Sequence, residues 1–281
     1  DYDQENTLLS FLQGVLTGKT DAKVSVSGHS LGGALTQVYA NYLRSELSSD
    51  IEVEAWVYAG PTAGNKMFAE KLVTNLKAEN YHAYNNRLDV VPHVWQADSL
   101  SKICSIYDKL ELCHWRIGEH PIISMVSQYL MQIASTSATN KYTIPGEPQT
   151  FEVDAPNSLV DCVDIFAGIA AAWNSGEIDA ANLKKATAPF VGKCGITAAT
   201  QEAQAFQAML YLAELGEQHT TAYTEYFFQD PALRAAVHKY ANSYESKTQE
   251  ASNADEGLII LTTFFQNVVK GIGDDPNCDC S

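Results

Sequence analysis

The sequence predicts an α/β fold, in which a mostly parallel sheet is flanked by helices. The first observation is that strand-like segments alternate with helical ones over residues 8–84. The second is composition, because 46% of the 281 residues are hydrophobic and 19% are charged, which suits a packed core rather than a disordered chain. Strands that alternate with helices are joined by right-handed crossovers, and these make neighbouring strands parallel.

The spacing of apolar residues defines each element. Val24 and Val26 alternate with serines, as in a strand. Leu31, Leu35 and Val38 recur at the three- and four-residue spacing of a helix. The predicted order is a helix over residues 8–17, a strand over 23–27, a helix over 31–47, a strand over 53–59, a helix over 67–76 and a strand over 81–84.

The patterns weaken in the second half of the chain. Segments 141–144 and 150–153, joined by a turn that contains proline and glycine, predict a hairpin. An alanine-rich stretch predicts a helical insertion over residues 155–215, which ends at Gly216. A helical C-terminal region is expected to begin at the Asp230–Pro231 pair, an N-cap followed by proline at the first helical position.

Charge and hydropathy exclude two classes of partner. The chain has 18 basic and 34 acidic residues, a net charge of -16, and a surface this acidic repels nucleic acid. The longest apolar run, residues 257–265, is too short for a bilayer, so no transmembrane segment is expected.

Six cysteines, an even number, favour disulfides and a secreted protein. Neither a repeat nor a linker divides the chain, so we expect a single domain over residues 1–281.

The strongest motif is Gly-His-Ser-Leu-Gly-Gly over residues 28–33, a G-x-S-x-G sequence between a predicted strand and a predicted helix. A serine on such a tight turn has a strained backbone and projects its hydroxyl as a nucleophile. Side chains at positions 28 and 32 are expected to collide with the neighbouring strand and helix. The turn also directs the backbone N–H of Leu31 at an anion beside Ser30. Ser30 is therefore the candidate nucleophile, and Leu31 is the candidate oxyanion donor.

Two further segments join this motif in a family resemblance. The elbow reads Ser-Gly-His-Ser-Leu-Gly-Gly-Ala-Leu at 27–35, and it is followed by Tyr-Ala-Gly-Pro-Thr-Ala-Gly-Asn at 58–65 and Asn-Asn-Arg-Leu-Asp-Val-Val-Pro at 85–92. Together they resemble the class 3 lipases of the α/β-hydrolase fold, specifically over residues 21–95. The resemblance implies hydrolysis of a lipid ester, at a lipid–water interface, through a Ser-Asp-His triad. A phospholipase A1 or a short-chain esterase would carry the same triad, and a non-catalytic lipid- or partner-binding relative is the alternative of another class.

Asp89 is the candidate acid. Ser30 follows the first predicted strand and Asp89 follows the third, and the carboxyl ends of parallel strands meet at one edge of the sheet. A carboxylate at this edge can hold an imidazole in the catalytic tautomer and stabilise its cation. Asp98 is the alternative, but no predicted strand end places it there.

The base is one of seven histidines, of which four are set aside. One is expected to pack within the elbow, and one lies in a strand before the acid, against the usual order Ser…Asp…His. A third is four residues beyond Asp89, within the turn of the acid, and a fourth lies in the middle of a predicted helix. These are, in the same order, His29, His82, His93 and His238.

His219 is the preferred base among the three that remain. It follows the predicted helix stop at Gly216 and opens an amphipathic segment that contains Tyr223. This segment resembles the His-x-x-x-Tyr helix start that carries the base in relatives of the family. His120 and His114 are the alternatives.

The oxyanion hole is predicted only in part. It needs two donors, and the N–H of Leu31 is the one that can be assigned. Few residues precede Ser30, so we expect an upstream segment or a second chain to add strands beside residues 23–27 and to supply the second donor. Neither a cofactor nor a metal is expected, because the chain has no H-E-x-x-H sequence and no calcium-loop spacing.

Overall fold

The computed structural model describes residues 7–112, 115–116, 141–154, 211, 214–230 and 232–233. The chain divides into two compact units. The first unit contains Asp1–Arg87, Val91–Ala97 and Ala134–Phe151. The second unit contains Leu88–Val90, Asp98–Ile133 and Glu152–Ser281.

Helices and strands alternate at the start of the chain, as predicted. The first elements are α1 (Leu8–Leu16), β1 (Lys23–His29), α2 (Leu31–Glu46), β2 (Glu52–Tyr58), α3 (Lys66–Leu76) and β3 (Tyr81–Asn86). The later ones in the described ranges are α4 (Ala97–Leu100), β4 (Glu111–Leu112), β5 (Trp115–Arg116), β6 (Gln149–Phe151) and α5 (Thr221–Phe227). All six segments predicted over residues 8–84 are present, within about two residues of their predicted limits.

Side-chain caps start two of the helices. The Thr7 hydroxyl accepts the backbone N–H of Ser10 at 3.1 Å, and the Ser10 hydroxyl accepts the backbone N–H of Thr7 at 3.0 Å, which is a capping box at the start of α1. Asn65 accepts the N–H of Phe68 at 3.0 Å at the start of α3. Ser30 occupies the N-cap position of α2, where its side chain makes no capping bond. The hydroxyl of Ser30 is therefore not used to start its helix.

Four strands form one parallel sheet in the order β1-β2-β3-β6. β1 pairs with β2 from Lys23 opposite Glu52 to His29 opposite Tyr58. β2 pairs with β3 as far as Tyr58 opposite Tyr84. The carboxyl ends of these three strands therefore reach the same edge of the sheet. This parallel sheet with its flanking helices confirms the predicted α/β class and is the arrangement expected of an α/β-hydrolase fold.

The core of the first unit lies on one face of the sheet. Val53, Ala55 and Val57 alternate along β2 with less buried residues, and each of them is at most 2% exposed. Parallel strands need cover from helices, and α2 and α3 supply it on this face. The buried cluster consists of Ala40, Leu43, Leu47, Ile51, Val53, Ala55, Leu72 and Leu76, with Leu9, Leu12 and Leu16 of α1 packed against it.

The predicted hairpin between segments 141–144 and 150–153 is wrong. β6 instead pairs in parallel with β3, and the Arg87 N–H donates to the Phe151 carbonyl at 2.8 Å just beyond the paired residues. Segment 141–144 contributes an isolated bridge and no strand. The physical reason is that pairing with β3 satisfies an otherwise open edge of the sheet, which a local hairpin would have left unpaired.

Several predictions fall on residues that the structure does not describe. The helical insertion over 155–215 lies almost entirely outside the described ranges, so it and the single domain stay predictions. Asp230 accepts the N–H of Ala232 at 2.8 Å, as expected at a helix start, but the residues after 233 also lie outside these ranges. No helix within the described residues is long and apolar enough to cross a membrane.

Candidate active site

Ser30 lies on the turn between β1 and α2 in the first unit. Its backbone has a φ of 59° and a ψ of -127°. Such a conformation costs a residue other than glycine roughly 1–3 kcal/mol and persists only where the surroundings impose it. Here the Ser30 N–H donates to the Tyr58 carbonyl at 3.0 Å, and the Ser30 carbonyl accepts the N–H of Gly33 at 2.8 Å. Hydrogen bonds on both sides thus hold the strained residue between β2 and α2.

Two glycines, Gly28 and Gly33, make this turn possible, whereas the sequence predicted collisions at Gly28 and Gly32. A Cβ on Gly28 would lie 2.3 Å from the carbonyl oxygen of Gly32, and one on Gly33 would lie 2.8 Å from the Cα of Gly60. Both contacts are with backbone atoms that cannot give way. A Cβ on Gly32 would meet nothing within 4 Å, so the prediction of a collision at position 32 is wrong. The close approach to the next turn is made one residue later, at Gly33.

The N-terminus of α2 offers a donor beside Ser30. Leu31 is the first residue of this 16-residue helix, so its N–H has no partner within the helix. The helix also carries partial positive charge at this end. The Leu31 side chain is 68% exposed, which leaves the surface beside the turn apolar.

Asp89 and His219 are in direct contact in the second unit, although 130 residues separate them in the sequence. The Nδ1 atom of His219 lies 2.9 Å from Oδ2 and 3.1 Å from Oδ1 of Asp89. Asp89 is fully buried, and His219 is 8% exposed. A third side chain joins them, because the Tyr223 hydroxyl donates to Oδ2 of Asp89 at 3.0 Å.

The contact determines which ring nitrogen of His219 can act as a base. An ionised carboxylate only accepts hydrogen bonds, so Nδ1 carries the hydrogen that faces Asp89. The lone pair of the neutral ring is then on Nε2. An imidazole held by a buried carboxylate in this way can take up a proton on Nε2 and have its cation stabilised by the neighbouring anion.

Two buried tyrosines support the loop that carries Asp89. The Tyr107 hydroxyl donates to the Leu88 carbonyl at 2.7 Å, and its ring lies 4.8 Å from that of Tyr211. Burial raises the pKa of Tyr107 well above its usual value of 10, and neighbouring acidic groups that include Asp89 raise it further. The phenol therefore stays protonated and remains a donor to the backbone beside Asp89.

The helix boundary at His219 differs from the prediction. Residues 214–219 are helical, so Gly216 lies within a helix and does not stop it. The Gly216 carbonyl accepts both the N–H and the hydroxyl of Thr220, at 3.0 and 2.7 Å, which continues the helical hydrogen bonding. The break comes at Thr220, and α5 begins with the next residue. His219 is thus the last residue of one helical segment rather than the first of another.

The competing candidates are placed elsewhere or are not described. Asp98 is exposed, as is His29, which the prediction had packed within the elbow. His82 stacks on Trp56 with ring centroids 4.0 Å apart, and His93 ends a short 3-10 turn. The alternative bases His114 and His120, and also His238, lie outside the described residues.

Sequence reasoning missed several residues around the Asp89–His219 pair. The His-x-x-x-Tyr resemblance includes Tyr223, four residues after His219, but it did not predict the hydrogen bond from Tyr223 to Asp89. Tyr107 carries no local signal, since its partners Leu88 and Tyr211 are distant in sequence. Glu214 has a local partner in Gln218, but its complete burial could not be read from the sequence. Within the described residues, no group of three or more histidines, cysteines and carboxylates is close enough to hold a metal ion.

Comparison with known proteins gives a partial match. The family model described as Lipase (class 3) matches residues 4–99, about a third of the chain. The crystal structure of M37 lipase is 29% identical, with 53% of this chain and 43% of that chain covered and a TM-score of 0.42. The chain therefore spans less than half of the length of that lipase. No curated protein matches the chain. Over residues 4–99, which contain both Ser30 and Asp89, the chain is similar to the class 3 lipase family.

Proposed function

We propose that the protein is a serine carboxylester hydrolase that cleaves lipid esters. Ser30 is the nucleophile, His219 is the general base, Asp89 orients and stabilises the imidazole, and the Leu31 N–H is one oxyanion donor. The backbone of Ser30 is the observation that carries this proposal. Its φ of 59° lies on a strand-to-helix turn where Gly28 has no room for a side chain. Proteins retain such strain where a nucleophile must be presented to a substrate.

In the proposed reaction, Oγ of Ser30 attacks the ester carbonyl carbon while its proton passes to Nε2 of His219. The bond to the alcohol oxygen then breaks, and the imidazolium returns that proton to the departing alcohol. The acyl group remains on Ser30 until Nε2 takes a proton from a water molecule, whose oxygen then attacks the acyl carbon. The bond to Oγ breaks, the imidazolium returns its proton to Oγ, and the carboxylic acid leaves. Asp89 stabilises the imidazolium without taking up the proton. The Leu31 N–H and the positive end of α2 stabilise the negative oxygen of each tetrahedral intermediate.

Lipid esters are the proposed substrate class because the family is that of lipases and because the surface after Ser30 is apolar. Leu31 is 68% exposed, and Leu35, one turn later on α2, is 60% exposed. Exposed leucines beside the nucleophile suit an acyl chain better than a polar substrate. We place the reaction at a lipid–water interface outside the cell, with no cofactor.

A further strand beside β1 is also part of the proposal. β1 is an outer strand of the described four-stranded sheet, and every second residue along it is exposed. Phe11 on α1 and Val38 on α2 are 64% and 47% exposed. We propose that another segment or chain pairs with β1, covers these side chains and supplies the second oxyanion donor. Full ester turnover by a monodisperse preparation of residues 1–281 alone would contradict this.

Covalent labelling tests the reaction directly. A fluorophosphonate ester should modify Ser30, as located by peptide mass spectrometry, and Ser30→Ala should lower hydrolysis by a factor on the order of 10⁶. Asp89→Asn should lower kcat by about 10⁴ with little change in KM. A Ser30 that stays unlabelled in folded protein would favour a non-catalytic lipid- or partner-binding protein.

One pair of variants tests the choice of base, and a substrate panel tests the class of ester. His219→Ala should cost about as much as Ser30→Ala, because triad residues act as one unit, whereas His120→Ala should be nearly silent. The reverse outcome would assign the base to His120. A panel of triacylglycerols, phospholipids and short-chain esters separates a lipase from a phospholipase A1 and from an esterase.

A further inference from the structure

A buried carboxyl group that the proposed reaction does not use lies five residues before His219. Glu214 is on the helical segment 214–219 of the second unit and is fully buried. Isolated charges are seldom buried this completely, because the ionised form loses its hydration. The position of Glu214 therefore requires an explanation in terms of its neighbours.

The side chain of Gln218 links Glu214 to a second segment of the chain. Nε2 of Gln218 donates to Oε1 of Glu214 at 2.9 Å and to the carbonyl of Val153 at 3.2 Å. Gln218 is itself fully buried and directly precedes His219. Its amide thus ties the end of the helical segment both to an earlier residue of that segment and to the backbone at Val153.

We propose that Glu214 is a positioning residue that acts on His219 through the side chain of Gln218. The inference rests on the proposed role of His219 as the base. With Oε1 of Glu214 in place, the Gln218 amide is held at the hydrogen-bond distance of the Val153 carbonyl, and the backbone that carries His219 is held with it. The ring of His219 must stay within 2.9 Å of Asp89, so this support preserves the contact that orients the base.

The surroundings favour the neutral form of Glu214. Oε2 is buried and has no hydrogen-bond partner among the described residues, so one carboxylate oxygen would be left uncompensated on ionisation. Burial raises the pKa of Glu214 to about 7, the hydrogen bond from Gln218 lowers it, and the negative charge of Glu217 raises it. Tyr107, whose pKa is raised in part by Glu214 and by Asp89, adds no positive charge. A neutral carboxyl still accepts the Gln218 amide through its carbonyl oxygen.

The test compares Glu214→Leu, which removes the acceptor, with Glu214→Gln, which keeps a neutral oxygen in the same place. Gln218→Leu and the double variant Glu214→Leu/Gln218→Leu complete a cycle, and Glu225→Gln removes an exposed carboxylate of α5 as the matched control. Two measurements are made on each folded protein. One is kcat and KM for a soluble ester, and the other is the proton resonance of His219 Nδ1–H by NMR, identified by its loss in His219→Gln.

Glu214→Leu should lower kcat by about tenfold or more with KM unchanged, and it should shift or broaden the His219 resonance. Glu214→Gln should restore most of kcat, and the double variant should lose no more than either single variant, since both act through one contact. Unchanged resonance and kcat in Glu214→Leu, or fully additive losses in the cycle, would overturn the proposal.

The resonance keeps this test separate from that of the proposed function. A protein that hydrolyses no ester would refute the function, yet a shifted His219 signal in Glu214→Leu would still support the positioning role. If near-UV circular dichroism shows that the leucine variants do not fold, Glu214→Asp and Glu214→Gln decide. Glu214→Asp keeps the carboxyl group but withdraws its oxygen from the Gln218 amide, so it should shift the His219 resonance and lower kcat, whereas Glu214→Gln should do neither. Identical behaviour of these two variants would refute the role of Glu214.

Discussion

The hydroxyl of Tyr223 donates a hydrogen bond of 3.0 Å to Oδ2 of Asp89. The same oxygen lies 2.9 Å from the ring of His219, so one carboxylate atom receives both donors. Tyr223 is 5% exposed, which means that no solvent replaces its hydroxyl when it is removed. Asp89 is therefore held by a residue that the chemistry itself does not need.

Tyr223→Phe should lower both stability and turnover. A hydrogen bond to a charged group contributes roughly 1.5–3 kcal/mol, and the deletion leaves the rest of the phenyl packing intact. We expect the free energy of unfolding to fall by about that amount, measured in guanidinium chloride. kcat should fall several-fold while KM changes little. A variant with wild-type stability and kcat would show that Tyr223 does not support Asp89.

Ser30→Gly and Ser30→Ala should both be inactive but should differ in stability. Glycine tolerates the φ of 59° at this position, whereas alanine retains the strain of a residue with a Cβ. We expect Ser30→Gly to be more stable than Ser30→Ala by about 1 kcal/mol in denaturant unfolding. Equal stabilities would mean that the turn is not strained at Ser30.

Gly28→Ala and Gly32→Ala form a matched pair within the elbow. The new Cβ at position 28 would lie 2.3 Å from a backbone oxygen, whereas the one at position 32 meets no atom within 4 Å. Gly28→Ala should therefore destabilise the protein by several kcal/mol or prevent folding. Gly32→Ala should stabilise it by about 0.5–1 kcal/mol, since position 32 lies within a helix. Thermal unfolding of both variants checks this, and similar losses from the two would contradict it.

Glu214 should make stability depend on pH near neutrality. Its pKa is about 7 in the folded protein, raised by burial from an ordinary value of 4.5. Its contribution to stability is thus fully present below pH 4.5 and is lost as the pH rises through 7. Between pH 5 and pH 8 the wild type should lose about 2 kcal/mol relative to Glu214→Gln. Parallel curves for the two proteins would contradict the buried, neutral carboxyl.

The six cysteines should all be oxidised in a secreted protein. Titration with a thiol reagent in guanidinium chloride, without reductant, should find no free thiol. The same titration after reduction gives the full count as a control. Six free thiols in protein isolated from its native source would exclude both the disulfides and the proposed extracellular location.

The sequence by itself determined the elements around Ser30. Residues 8–84 carry strand and helix spacings that are local, and the structure has the six predicted elements in the predicted order. Such patterns are readable because the apolar side chains of each segment must face one core, and the period of each segment follows from its backbone geometry. The glycine at position 28 was likewise readable, since a tight turn before a helix leaves no room for a side chain there.

Three of the wrong predictions concern strand pairing, a helix end and a close approach of the backbone. Segment 150–153 pairs with β3 rather than with the neighbouring segment 141–144. Gly216 lies within a helix, although a glycine was expected to end the helix there. Close packing does not require a glycine at position 32. It requires one at position 33, where a Cβ would lie 2.8 Å from the Cα of Gly60. For segment 150–153, local propensity was outweighed by a partner, β3, that the chain meets only when it is folded.

The tertiary structure alone decided which groups surround Asp89. Sequence order made His219 a candidate, but only folding places its ring 2.9 Å from Asp89, across 130 residues. Tyr223 and Glu214 are placed by folding in the same way, one as a donor to the Asp89 carboxylate and the other as a fully buried acid bonded to Gln218. Local periodicity specifies which face of a segment is apolar, whereas hydrogen bonds and protonation states depend on the burial and the neighbours that packing creates.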